Sequence, residues 1–166
     1  MVRILVIDTG GTISKVYGSG LGVWDVHIGP PYVADFIRRQ AGEFVSITSL
    51  PIFRKDSLDI GHADRSAIVN ACIKEPAEKI IIVHGTDTML LTAEAISQFT
   101  VSKLKTIVLT GSLQPAAMKE SDADFQIGLA LATCVCQPSG VWIAMNGVHA
   151  FGSCRKHPVT GQFVPV

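Results

Sequence analysis

The chain has 166 residues, of which 48% are hydrophobic and 17% charged, and its 14 basic residues balance 14 acidic ones at a net charge of zero. This composition suits one domain with an ordinary core and excludes a disordered chain. The neutral balance, without any Lys/Arg cluster, argues against a nucleic-acid-binding protein. No apolar run is long enough for a signal peptide or a membrane span, so we expect a cytoplasmic protein that does not bind membranes.

Short β-branched runs alternate with amphipathic stretches along the sequence. The runs predict strands buried on both faces, and the stretches predict helices with ordinary start and stop residues. In chain order we predict a strand at Val2–Ile7, a mobile Gly-rich loop at Tyr17–Pro31, a helix at Pro31–Gln40, a strand at Val45–Ile52, a helix at His62–Lys74, a strand at Ile80–Val83, a helix at Met89–Phe99, a strand at Ile107–Leu109, a helix at Asp122–Val135, a strand at Val141–Met145 and an irregular tail after Gly147. This alternation predicts an α/β fold in three layers, a parallel sheet with helices on both faces.

Polar, glycine-containing loops follow four of the predicted strands. They are Asp8–Ile13, His84–Thr88, Thr110–Ser112 and Met145–Gly147. Ligands of open parallel sheets bind outside the carboxyl ends of the strands. We therefore expect a polar pocket where these four loops meet.

Two of these loops place a threonine directly after glycine. Gly10-Gly11 precedes Thr12, and Gly85 precedes Thr86. Glycine permits close approach of a ligand, so the first pair would present the Thr12 hydroxyl beside free amide N–H groups, although short glycine motifs also mark ordinary tight turns. A threonine hydroxyl becomes a nucleophile when a base takes its proton, and a neutral lysine would serve if its pKa fell from about 10.4.

At these residues the sequence resembles a known family. The segments TGGTI (Thr9–Ile13) and HGTDT (His84–Thr88) resemble the two signature motifs of bacterial-type asparaginases and glutaminases. Three further segments, Asp56-Ser57, Gly111–Pro115 and Ser121–Phe125, follow the family pattern in the same order. The resemblance spans nearly the whole chain and implies the Rossmann-like α/β fold of the family's N-terminal domain.

The resemblance also implies roles for individual residues. Thr12 would be the nucleophile that attacks a side-chain amide, and Thr86 would be a second catalytic threonine linked to a lysine. Asp87 would bind the α-amino group of the substrate. By its position after Met145-Asn146, Lys156 would be the lysine, although the segment before it is shorter than in the usual pattern.

Further residues are implied in substrate binding. Ser57 would hold the α-carboxylate, and Tyr17 would be the lid tyrosine that orients the nucleophile. Gly11, Asp56 and Ser112 complete the expected contacts, together with Thr86 and Asp87. Leu58 departs from the pattern, because many members of the family carry a polar residue there that touches the substrate.

The chain is about half as long as typical members, whose C-terminal domain completes a neighbour's active site. We therefore expect a single catalytic domain over residues 1–166, without a C-terminal domain. An open pocket would weaken substrate binding, and we expect a homodimer. The substrate would be L-asparagine, hydrolysed to L-aspartate and ammonia.

The chemistry so implied needs no cofactor and no metal. None of the five histidines has HExxH spacing and no CxxC pair occurs, so a metal site is disfavoured. The four cysteines are expected to be buried and reduced. The alternatives are a nucleotide-binding module, for which GxGxxG and GxxxxGK[ST] are both lacking, a degenerate member that binds an amino acid without turnover, and a fragment of a tRNA-linked amidotransferase.

Overall fold

A computed structural model describes residues 1–18 and 26–166 of the chain. Within those ranges the strands are β1 (Val2–Gly10), β2 (Lys15–Tyr17), β3 (Val26–Ile28), β4 (Val45–Lys55), β5 (Lys79–Val83), β6 (Thr106–Thr110), β7 (Gly140–Ala144), β8 (Val148–Ala150), β9 (Cys154–Lys156) and β10 (Phe163–Pro165). The α-helices are α1 (Val33–Ala41), α2 (His62–Lys74), α3 (Met89–Ser97), α4 (Val101–Leu104) and α5 (Ala123–Cys136). None of these helices is long and apolar enough to cross a bilayer.

Six strands form the central sheet in the order β4-β1-β5-β6-β7-β8. The first five are parallel, and β8 runs antiparallel to β7. The predicted α/β fold is confirmed, but the sheet is mixed at one edge. The short turn at Met145–Gly147 joins β7 to β8, and so short a connection produces an antiparallel neighbour because a parallel one needs a long crossover.

The sheet is buried on both faces because its strands alternate their apolar side chains between two clusters. Leu5 and Ile7 of β1 pack on the side of α2, α3 and α4. Ile4 and Val6, on the opposite face, pack against α1 and α5. The three layers that the sequence predicts are therefore present.

Helix α2 has the predicted bounds, and the other predicted helices and strands shift by a few residues at their ends. β1 extends to Gly10, so the strand includes the start of the glycine pair. The predicted loop Tyr17–Pro31 contains β3, which pairs with β2 as a short hairpin. Residues 19–25 lie outside the described ranges, so the predicted mobility of this loop is not addressed there.

The prediction of an irregular tail after Gly147 is wrong. The tail adds β8 to the sheet and forms a separate hairpin of β9 and β10. Strands of three residues are too short to show a hydrophobic period, which is why the sequence pattern misses them. Phe163 anchors the hairpin, since its side chain lies in the core on the α2–α3 side and its amide donates to Asn146 Oδ1 at 3.3 Å.

We predict that Phe163→Ala lowers the free energy of unfolding by about 3–5 kcal/mol, because it empties a site in the core. Phe163 is 2% exposed, whereas Val159, between the same two strands, is 86% exposed. Val159→Ala is the matched control and should stay within about 0.5 kcal/mol of wild type. Urea denaturation measures both, and equal values for the two variants would contradict the anchoring role.

Candidate active site

The Gly-Gly-Thr turn forms where β1 leaves the sheet. Gly10 and Gly11 have φ of 98° and 86°, in the region that favours glycine. Gly10 N–H donates to Asp8 Oδ1 at 2.9 Å, and Gly11 N–H donates to the Lys55 carbonyl at 3.0 Å. Neither of these two amides is therefore among the free N–H groups expected beside Thr12. They are used to fix the turn that presents Thr12.

The backbones of the two glycine loops touch. A Cβ atom added to Gly11 would lie 2.5 Å from Gly85 N and 2.7 Å from Gly85 Cα. Such distances leave no room for a side chain, so glycine is required by contact as well as by conformation. Thr12 and Thr86 each follow one of these glycines, and the structure thus brings the two threonine loops together at one rim of the sheet.

Lys156 reaches this rim from the β9–β10 hairpin. Its Nζ donates to Thr86 Oγ1 at 3.0 Å and to Asp87 Oδ1 at 2.5 Å. The lysine side chain is 26% exposed and the Asp87 side chain 50% exposed. The hydroxyl, the ammonium and the carboxylate therefore form one connected group that solvent and a small ligand can reach.

Ser57 also packs against Gly85. A Cβ atom on Gly85 would lie 2.7 Å from Ser57 Oγ. Ser57 is 1% exposed, and its Oγ has no hydrogen-bond partner within the described ranges. Thr88 Oγ1 donates to the Ser57 carbonyl at 2.7 Å and ties the two loops together. Thr88 is part of the HGTDT segment, but its supporting role was not predicted.

The family model for the N-terminal domain of asparaginases matches residues 3–158. The chain belongs to this family. It is 30% identical over 164 residues to a subunit of the glutamyl-tRNA(Gln) amidotransferase of Methanococcus maripaludis, and the match covers 95% of this chain and 38% of that protein. The corresponding subunit of Methanosphaera stadtmanae is 30% identical over 161 residues, with 93% and 36% covered.

Solved structures show the same fold. The thermostable L-asparaginase from Thermococcus kodakarensis superimposes with a TM-score of 0.85 at 26% identity, covering 99% of this asparaginase-family chain and 51% of that one. L-asparaginase I from Vibrio cholerae gives a TM-score of 0.80 at 24% identity, also over 99% and 51%. The chain thus spans about half the length of the asparaginases it matches, and less of the amidotransferase proteins.

Three predicted site residues of the asparaginase domain have side chains that are not part of the hydrogen-bonded group of Thr86, Asp87 and Lys156 among the described residues. Asp56 Oδ2 accepts from Lys15 Nζ at 2.9 Å, and this bond is the main reason that the pKa of Asp56 lies below its usual value. The Ser112 hydroxyl donates to the Gln114 carbonyl. Tyr17 lies in β2 with its side chain largely exposed. Asp56 and Ser112 therefore serve first to shape loops.

The buried His84 side chain supports the Gly85–Thr86 loop through a hydrogen bond. Its Nδ1 lies 2.7 Å from the Gly85 carbonyl, which only accepts, so Nδ1 carries the proton and Nε2 accepts from Thr92 Oγ1 at 2.8 Å. Burial lowers the pKa of His84 to about 4, and the ring stays neutral near pH 7. This support was not predicted, although His84 belongs to the recognised motif.

Two of the buried cysteines, Cys72 and Cys134, do not compete with threonine as nucleophiles. Burial raises the pKa of Cys72 and of Cys134 to about 12, so neither thiol ionises near neutral pH. Cys154 is also buried, but Cys136 is exposed, and the prediction that all four are buried is wrong there. Across residues 1–18 and 26–166, no cluster of three His, Cys, Asp or Glu side chains is placed to hold a metal ion.

We predict that Gly11→Ala destabilises the domain more than Gly152→Ala. Both glycines have a positive φ, 86° and 87°, so both substitutions carry backbone strain. Only Gly11 has Gly85 against it, whereas nothing lies within 4 Å of a Cβ on Gly152. The urea midpoint of each variant measures its stability. Equal midpoints would show that the loops are not pressed together.

A second prediction concerns Asp8, which is 2% exposed. Burial raises the pKa of Asp8 to about 6 against a usual 3.8, while the Gly10 N–H and the charge of Arg54 act in the opposite direction. The folded state therefore holds the Asp8 proton more tightly than the unfolded state. This contribution to stability is full below pH 4 and is lost as the pH rises through 6, by about 3 kcal/mol in total.

The measurement is the free energy of unfolding of wild type minus that of Asp8→Asn between pH 4 and 7. The difference should fall with rising pH, because Asn cannot ionise. His84 acts in the opposite sense, since its lowered pKa removes stability as the pH falls from 6.5 toward 4. Its contribution is common to both proteins and cancels in the difference. A flat difference would show that Asp8 titrates normally.

Proposed function

We propose that the chain is a threonine-nucleophile amidohydrolase domain that hydrolyses L-asparagine to L-aspartate and ammonia. The observation that supports it most directly is the Lys156 ammonium bonded to both Thr86 and Asp87. This group lies beside the turn that carries Thr12, because the backbones of Gly11 and Gly85 are in contact. Membership of the asparaginase family adds to this support.

In the proposed reaction, Thr12 Oγ attacks the side-chain amide carbon of the substrate. The Thr12 proton passes through Thr86 to Lys156 in its neutral form, which is the role of the general base. The amide C–N bond then breaks, ammonia leaves with a returned proton, and an ester remains on Thr12. Water hydrolyses that ester and releases aspartate. No metal or organic cofactor enters these steps.

Charged groups explain how a free amino acid would be oriented. Asp87 is half exposed and would receive the α-ammonium of the substrate. That ammonium would share Asp87 with Lys156, so the substrate would be held beside the Thr86–Lys156 pair. Ser57 Oγ, which has no partner in the described ranges, would donate to the α-carboxylate.

We predict that Thr12→Ala abolishes ammonia release from L-asparagine, measured with a coupled assay. Lys156→Met should reduce kcat by roughly 10²–10⁴-fold, the usual contribution of a general base. Arg155→Met is the matched control, because Arg155 is the exposed neighbour of Lys156 on the same strand, and it should keep wild-type activity. Equal activity of wild type and Thr12→Ala would contradict the mechanism. Aspartate binding without turnover would instead favour an amino-acid-binding module.

A second candidate is a glutaminase that works with a partner protein. It is favoured by the relatives at 30% identity, which by name are subunits of an amidotransferase acting on glutamyl-tRNA(Gln). The neutral charge of this chain gives no support to direct binding of tRNA. Comparing kcat/KM for L-asparagine and L-glutamine separates the two candidates, since a preference for glutamine would favour the second.

The assembly state is also part of the proposal. We propose a homodimer in the cytoplasm. Sedimentation equilibrium in the presence of aspartate tests the dimer. A strict monomer with full activity would exclude it.

A further inference from the structure

Asp8 is the buried charged residue nearest in sequence to the nucleophile turn, and the proposed mechanism does not use it. It lies near the end of β1, paired with Val83 of β5 and Pro51 of β4. Its Oδ2 has no hydrogen-bond partner in the part of the chain that is described. A buried carboxyl group with an unsatisfied oxygen costs stability. A role of Asp8 in the neighbouring turn would compensate for this cost in stability.

The other carboxyl oxygen acts on the turn that carries Thr12. Oδ1 accepts the Gly10 N–H at 2.9 Å. At this point the pairing of β1 with β4 shifts register, between Asp8 and Gly10. Beyond the shift Gly10 pairs with Lys55, and the acceptor of its amide is the Asp8 side chain. The next amide, that of Gly11, returns to a backbone acceptor, the Lys55 carbonyl.

A small error at this turn would move the nucleophile. Gly10 and Gly11 both have positive φ, and glycine has other conformations of similar energy available. Gly11 is also pressed against Gly85, so rotation at Gly10 would change that contact. Reactions between positioned groups lose about 10²-fold in rate for displacements near 1 Å.

We propose that Asp8 is a positioning residue, which holds the Gly10–Gly11 turn through its side chain and so places the Thr12 hydroxyl against the Thr86–Lys156 pair. This inference rests on the proposed function for its effect on rate. Its structural part, the hold on Gly10, is independent of any activity. The two parts are measured separately.

The test compares Asp8→Ala, Asp8→Leu and Asp8→Asn with wild type. Ala and Leu remove the acceptor, and Leu also keeps the site filled if Ala is poorly folded. Asn retains an oxygen that accepts the Gly10 N–H but cannot ionise. Asp35→Ala, an exposed acid on α1, is the control for loss of an aspartate elsewhere.

Hydrogen exchange of the Gly10 amide, followed by NMR, is the readout that needs no activity. We expect exchange at least tenfold faster in Asp8→Leu than in wild type, and near wild-type protection in Asp8→Asn. In the ammonia assay, Asp8→Leu should lower kcat for L-asparagine about tenfold or more while KM changes less than threefold. Asp8→Asn should recover most of kcat, which a general loss of stability would not produce.

Three results would overturn the proposal. Unchanged Gly10 exchange in Asp8→Leu would show that Asp8 does not hold the turn. Unchanged kcat in a variant with fast exchange would show that this hold does not position Thr12. If wild type released no ammonia from either amide, the proposed function would fail, while the exchange data would still decide whether Asp8 holds the turn. Equal losses in Asp35→Ala would also contradict a specific role.

Discussion

Backbone contact between Gly11 and Gly85 is the constraint on which the site depends. β1 and β5 are neighbours in the sheet, but adjacent strands alone do not bring their loops within van der Waals distance. A side chain at Gly11 would overlap the Gly85 backbone, and one at Gly85 would overlap Ser57. Because Gly11 and Gly85 have no side chains, three loops can pack into one small volume. The loops that carry Thr12, Thr86 and Ser57 meet because Gly11 packs against Gly85 and Gly85 packs against Ser57.

Most of the fold could be predicted from the sequence because its strands are buried on both faces and its helices carry clear boundaries. Helix α2 begins at His62 and ends at Lys74, before Pro76, as the pattern indicates. The hairpins β2–β3 and β9–β10 could not be predicted in this way.

The site was predictable to the extent that its residues follow one another in motifs. Gly11-Thr12 and Gly85-Thr86-Asp87 lie at the ends of adjacent strands, where the rule for parallel sheets places ligands. Lys156 came from the family resemblance alone, since no local signal distinguishes it from Arg155. Side-chain partners were beyond the reach of sequence reasoning. The Lys15–Asp56 pair and the Ser112–Gln114 bond depend on loop geometry that only the folded chain defines.

The position of Lys156 has a consequence for partly folded states. The residue lies on the β9–β10 hairpin, which is separate from the six-stranded sheet and is anchored by Phe163. A chain with this hairpin undocked would keep its sheet and both helical layers while lacking the ammonium at Thr86. Under the proposed function, such a state would be folded in its core and yet inactive.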